Sequence, residues 1–167
     1  MIQNSNKGFS LIEVIVSIAV ITTALVTAMA LISFSVSSIG LSKSKIIATN
    51  LAQEGLEIIR NIRDSNWLSY KRSPENWRDG LGIGDYRVQY NQLGLLGFSS
   101  TPLRIDSNGF YRYDADTDTL FYRKIIIDHI GDNQIKAIAE ITWQKKGKRH
   151  TIQVEDRLYN WLEELEE

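Results

Sequence analysis

Lys7-Gly8-Phe9-Ser10-Leu11-Ile12-Glu13-Val14 opens an apolar run that continues to Ile39. The eight residues up to Gly8 are short of apolar character and carry one cation, Lys7. Residues 9–39 contain a single charged side chain, Glu13. At about 1.5 Å of rise per residue, a helix of that length crosses a hydrocarbon core of roughly 30 Å with residues to spare. Ser17, Thr22, Thr23, Thr27, Ser33, Ser35, Ser37 and Ser38 dilute the run. Their hydroxyls can bond back to carbonyls of their own helix, so they do not exclude insertion.

Several kinds of segment share this outline. A secretory signal has an apolar core of roughly 7–15 residues and then a small-residue cleavage site. This run is about twice that length, although Thr27-Ala28-Met29-Ala30 supplies such a site. A plain single-pass anchor has the right length and no use for Glu13. A carboxylate near the centre of a membrane helix costs on the order of 2.5–3.5 kcal/mol, and less near the interface. Acids inside membranes usually have a partner. Cutting after Gly8 creates one, because Phe9 then carries a free amine. In a stack of identical helices that amine meets Glu13 of a neighbour. Pairing the two charges in low dielectric offsets their desolvation and fixes the axial register.

With those residues read, the segment resembles the processing and methylation motif of type IV prepilins and of type II secretion pseudopilins. The resemblance covers roughly residues 7–40. It implies that a prepilin peptidase cuts after Gly8 on the cytoplasmic side of the membrane and N-methylates Phe9. It also implies an assembly role for Glu13. The protein would wait as a single-pass protein of the cytoplasmic (inner) membrane, with its soluble domain outside the cytoplasm. It would reach the periplasm or cell surface once assembled. The implied partners are the peptidase, other pilin or pseudopilin subunits, the membrane and an inner-membrane assembly platform. Members of the family often have a proline midway along this helix, whereas the first proline here is Pro74.

Helical periodicity continues past Gly40. Ile47, Leu51, Gly55, Ile58 and Ile62 fall at steps of four, four, three and four, which is one stripe of a helix. Ala48, Ala52 and Ile59 widen it. Lys43, Lys45, Gln53, Glu57, Arg60, Asn61 and Asp64 are left to face water. Gly55 costs about 1 kcal/mol against Ala in a helix interior; on the stripe, it is expected to admit a close-packed strand. One helix over residues 9–66 would be roughly 85 Å long, which resembles the lollipop shape of the family. Residues 48–57 and 60–64 also resemble the helix of minor subunits.

Residues 67–84 read as irregular, with Trp67, Tyr70 and Trp77 pinning a loop to the domain. From Asp85 the pattern becomes β. Tyr86 to Tyr90 alternates, and Asp106-Ser107-Asn108-Gly109 carries an Asn-Gly hairpin signal between two short apolar runs. Residues 120–130, 134–144 and 149–161 are long strand candidates joined by Gly131-Asp132-Asn133 and by Lys145-Lys146-Gly147-Lys148. Three such strands in an antiparallel meander give a sheet with one face covered, and the helix stripe is the expected cover. The fold class is α+β: a long N-terminal helix, half membrane and half amphipathic, packed on an antiparallel β-sheet in a pilin-like arrangement. The expected parts are a leader at 1–8, a transmembrane or filament-core helix at 9–40, its amphipathic continuation at 41–66, and a β-rich domain at 67–167.

Composition narrows the chemistry. The 167 residues carry 19 Lys and Arg against 20 Asp and Glu, so bulk charge asks for no nucleic acid. With no cysteine there are no disulfides, thiolate sites or cysteine nucleophiles. Asp114, Asp116 and Asp118 have the spacing that opens a calcium loop, but Thr119 and Ile125 stand where an EF-hand needs Gly and Glu. They are a weak calcium candidate within a solvated turn, and no cofactor is otherwise expected. Lys145, Lys146, Lys148 and Arg149 form a basic hairpin tip; a solvated turn is the reading adopted, with DNA contact as its rival. His129 and His150 are assigned to a polar strand face. No phosphate loop, nucleophile elbow or metal-ligand pair occurs. The chain therefore reads as a minor pilin or pseudopilin, a structural subunit rather than an enzyme. A surface pilus, a type II secretion pseudopilus and a DNA-uptake pseudopilus are all open as its machine. The reading from another class is a membrane-tethered extracytoplasmic binding module that forms no filament.

Overall fold

The computed structural model describes residues 8–68, 76–92 and 94–160. Its first element is a single helix, α1 (Leu11–Leu68). Eight strands follow: β1 (Gly84–Arg87), β2 (Leu96–Gly97), β3 (Arg104–Ile105), β4 (Tyr111–Arg112), β5 (Thr117–Asp118), β6 (Phe121–His129), β7 (Gln134–Lys145) and β8 (Lys148–Tyr159). The contacts divide the chain into two compact units, with the boundary between Lys43 and Ser44.

In the first unit, the hydroxyls of Ser17, Thr22, Thr23 and Thr27 bond to carbonyls three or four residues earlier in α1. They are thereby satisfied without water, as an apolar environment requires.

In the second unit, the C-terminal part of α1 lies on a five-stranded antiparallel sheet of order β2-β1-β6-β7-β8. The three long strands form the expected meander. Ile125 is opposite Ala139, which is opposite Val154. Alternation turns Phe121, Arg123, Ile125 and Ile127 of β6, and Ile135, Ala137, Ala139, Ile141 and Trp143 of β7, to the covered face, where all are buried. Each fully buried isoleucine contributes about 1.5–3 kcal/mol.

The line of closest approach is not centred where the stripe suggests. Ile47, Ile58 and Ile62 are only half-buried, while Ser44, Ala48, Leu51, Ala52, Gly55, Leu56 and Ile59 are buried. Small side chains lie at the contact because they let helix and strand backbones approach. A Cβ on Gly55 would stand 2.9 Å from Ile125 Cδ1 and 3.3 Å from Arg123 Cδ. Gly55 is therefore a packing glycine, and α1 passes through it unbroken.

Other details depart from the expected outline. Trp67 belongs to the last turn of α1 and stacks on Trp77 at 6.4 Å, both rings being buried. Tyr70 lies outside the described residues. A second, three-stranded sheet of order β4-β3-β5 stands apart from the main one. Its β3–β4 hairpin closes through Gly109 N–H to Asp106 O at 3.0 Å. Gly109 takes φ 88°, so the Asn-Gly signal belongs to a three-residue loop with glycine in the left-handed position. The histidines are corrected too. His129 follows the covered-face alternation of β6 and lies 2.8 Å from Leu81 O. His150 is opposite Trp143 and stacks on its ring at 5.2 Å.

Candidate functional site

The site candidates at the start of α1 are set by where the helix begins. Ser10 O accepts from Glu13 N at 3.0 Å and from Val14 N at 3.2 Å, so Ser10 is the residue from which the helix is launched. Ser10 and Glu13 have the spacing of a capping box, a signal in the sequence that the membrane pattern obscured. Glu13 sits in the first turn, where a negative charge meets the positive end of the helix dipole, an effect of about 0.3–1 kcal/mol. Among the described residues no cation pairs with it.

Gly8 and Phe9 lie just ahead of the helix and are exposed. A Cβ built on Gly8 meets nothing within 4 Å. Nothing in the described fold therefore demands glycine there. Beyond them, the large apolar side chains of the run are bare, from Val14 at 46% exposed to Phe9 at 80%. Solvent-facing apolar surface on that scale marks a membrane or partner contact. By length and composition α1 is sufficient to cross a membrane.

The acidic trio is brought to a different use. Asp118 Oδ1 accepts from Arg104 Nε at 2.6 Å, and Asp114 Oδ1 lies 3.6 Å from Arg112 Nε. Asp116 is exposed. Among the described residues no three acidic or imidazole groups gather as a metal site.

The main sheet holds a residue that pattern reading passed over. Arg123 is on the covered face with its side chain fully buried. Its Nη1 donates to Leu51 O at 3.1 Å and to Glu54 Oε1 at 2.9 Å, and its Nη2 donates to Val88 O at 2.5 Å. One guanidinium thus joins α1, β6 and the segment after β1. Tyr113 Oη donates to Arg123 O at 3.3 Å. Burial pushes the Tyr113 phenol above its ordinary value, a rise partly offset by the charge of Arg123. On the opposite face, residues 98–101 and the outward side chains of β6 and β7 enclose a groove of about 350 Å³ lined by Phe98, Tyr122, Lys124, Glu140 and Thr142 among others. Two of its charged groups are already engaged: Lys124 lies 3.6 Å from both Asp85 and Glu140, and Gln153 donates to Glu140 at 2.7 Å.

The strongest site is therefore the helix start, with its bare apolar run, its open glycine and an acid that no cation pairs with among the described residues. Comparison with curated proteins and with solved structures returns no match. Residues 3–29 match the family described as the prokaryotic N-terminal methylation motif, and the chain thus carries the type IV prepilin-like signature.

Proposed function

We propose that the protein is a minor pilin or pseudopilin, cut after Gly8, N-methylated on Phe9, and assembled into a pilus or pseudopilus filament or its initiating tip. The observation that carries this reading is Glu13: an acid in the first turn of a bare apolar helix, with no cation beside it among the described residues, inside the methylation motif. An acid in that setting is a cost unless another molecule supplies the partner. The new amine of Phe9 on a neighbouring subunit has the right charge. Gly8 supports the same reading, since the fold leaves space for a side chain there; the demand for glycine then comes from the peptidase that must hold the extended chain. In this account the protein is the substrate of a prepilin peptidase, its domain is extracytoplasmic, and other pilin-like subunits and an assembly platform are its partners. It acts by assembling, not by catalysis.

Glu13→Leu, made in the native host, tests the pairing. The variant is expected to remain in the membrane fraction and to vanish from sheared filaments. Undiminished incorporation would remove Glu13 from the assembly role.

A further inference from the structure

The outer face of the main sheet carries the groove walled by residues 98–101. Strand pairing sets its floor in rows: Tyr122 opposite Thr142, Lys124 opposite Glu140, and Gln144 opposite Arg149. All of these residues belong to the second compact unit. The wall is fixed to the sheet from β1. Arg87 Nε donates to Gly97 O at 3.1 Å, and its Nη1 donates to Thr101 Oγ1 at 2.7 Å. Thr101 N–H closes on Ser99 O at 2.9 Å. The groove is thus built into the fold, and its volume of about 350 Å³ falls at the small end of ligand sites.

Two features of the lining point to a ligand. Phe98 and Tyr122 keep 48% and 40% of their surface exposed, so two aromatic rings are left half-bare on a polar face. Around them stand hydroxyls, an amide and charges of both signs. Among the described residues, no hydrogen bond or ion pair engages the side chains of Tyr122, Thr142, Gln144 or Arg149. Lys124 and Gln153 hold Glu140, which fixes a carboxylate in the floor. A protein partner favours an apolar centre depleted of charge, and this floor contains a Lys–Glu pair. A nucleic acid would bring its phosphates against the Glu140 carboxylate. A sugar ring fits both features. Its C–H face suits an aromatic ring, and its hydroxyls need closely spaced donors and acceptors. The exposed Arg149 adds a guanidinium suited to a carboxylate.

We infer that this groove binds an acidic sugar, a hexuronate unit of a glycan. Its ring lies beside Phe98 and Tyr122, its hydroxyls bond to Thr142, Gln144 and Glu140, and its carboxylate meets Arg149. The site is separate from the processing of residues 1–8 and from Glu13, and it gives the domain a ligand of its own in addition to any role in assembly.

Full-length protein in a sugar-free detergent is titrated with sodium glucuronate and with glucose, and binding is read by saturation-transfer NMR. Glucuronate is expected to bind with a Kd on the order of 1 mM. It should bind about tenfold tighter than glucose, as one charge-assisted contact allows. Arg149→Gln should bring glucuronate to the level of glucose. Phe98→Ala should weaken both sugars about fivefold. Thr142→Val, which keeps the shape of the side chain, should weaken both by a similar factor and separates lost contact from altered fold. No transfer to either sugar at roughly 10 mM overturns the site. Transfer that survives both Phe98→Ala and Thr142→Val puts the sugar elsewhere and overturns it as well. Equal binding of acetate and glucuronate would leave only an anion contact at Arg149, which contradicts a sugar site.

Discussion

The two parts of α1 invert the usual relation between apolarity and burial. Residues 11–39 are rich in Ile, Val and Leu, and their large apolar side chains are exposed. Residues 44–68 pack on a sheet, yet much of the contact line is Ala48, Ala52 and Gly55. A helix that meets a sheet needs close approach, and small residues give it. A helix that meets lipid or a ring of like helices needs apolar surface along its whole circumference. The residue types therefore tell which half is covered by its own chain and which half awaits a cover from outside.

The largest test of that contrast is one side chain in each half. Gly55→Leu drives a bulky group into Ile125 and Arg123. It should cost about 3 kcal/mol or more, read as a lower urea midpoint of the full chain in detergent by tryptophan fluorescence. Gly55→Ala should cost about 1 kcal/mol, because tight contact outweighs the gain in helix propensity. Ala24→Leu, on the bare half, should change the same midpoint by less than about 0.5 kcal/mol. Equal effects at 55 and 24 would break the comparison.

Charge gives the second test. Among the described residues Glu13 has no cation beside it, whereas Arg123 is buried among Glu54, Leu51 O and Val88 O. Arg123→Met removes a donor from the carbonyls of Leu51 and Val88 and leaves Glu54, whose side chain is 34% exposed, without its partner. A loss of about 2–3 kcal/mol is expected, at the lower end for a broken buried pair because Glu54 retains contact with water. A neutral or stabilising result would mean that apolar packing replaces the pair at no cost.

The smallest expected effect concerns alkaline pH. The Tyr113 phenol is held above its ordinary 10.0 by burial. Its neutral form is favoured in the fold, so the folded state holds more protons than the unfolded state once pH exceeds about 10. Stability should therefore fall as pH rises through that region. Tyr113→Phe should flatten the slope of the urea midpoint between about pH 9 and 11. Tyr111, shifted the same way by burial, leaves a residue of it. An unchanged slope would show that Tyr113 is not its source.

Much of this was legible in the sequence, for identifiable reasons. The single charge in residues 9–39 marks the helix start, and alternation in residues 134–144, with Ile138 the exception, marks a half-covered strand. Arg123 was not legible, because its partners are a helix carbonyl 72 residues away and a carbonyl 35 residues away. A cation at that position reads as facing water until those acceptors are known. The β3, β4 and β5 strands are two residues each, too short to carry a period. The histidines were misassigned because polarity was weighed above position in the alternation. Glu13 was recognised as an acid needing a partner, while its second identity as the acid of a helix-start motif went unread beside Ser10.

In the proposed function residues 1–8 are a leader and Phe9 begins the mature chain. Mass spectrometry of the protein isolated from its native host tests it directly. A mature chain starting at N-methylated Phe9 is expected; an intact Met1, or a start near residue 30, would contradict the proposed processing.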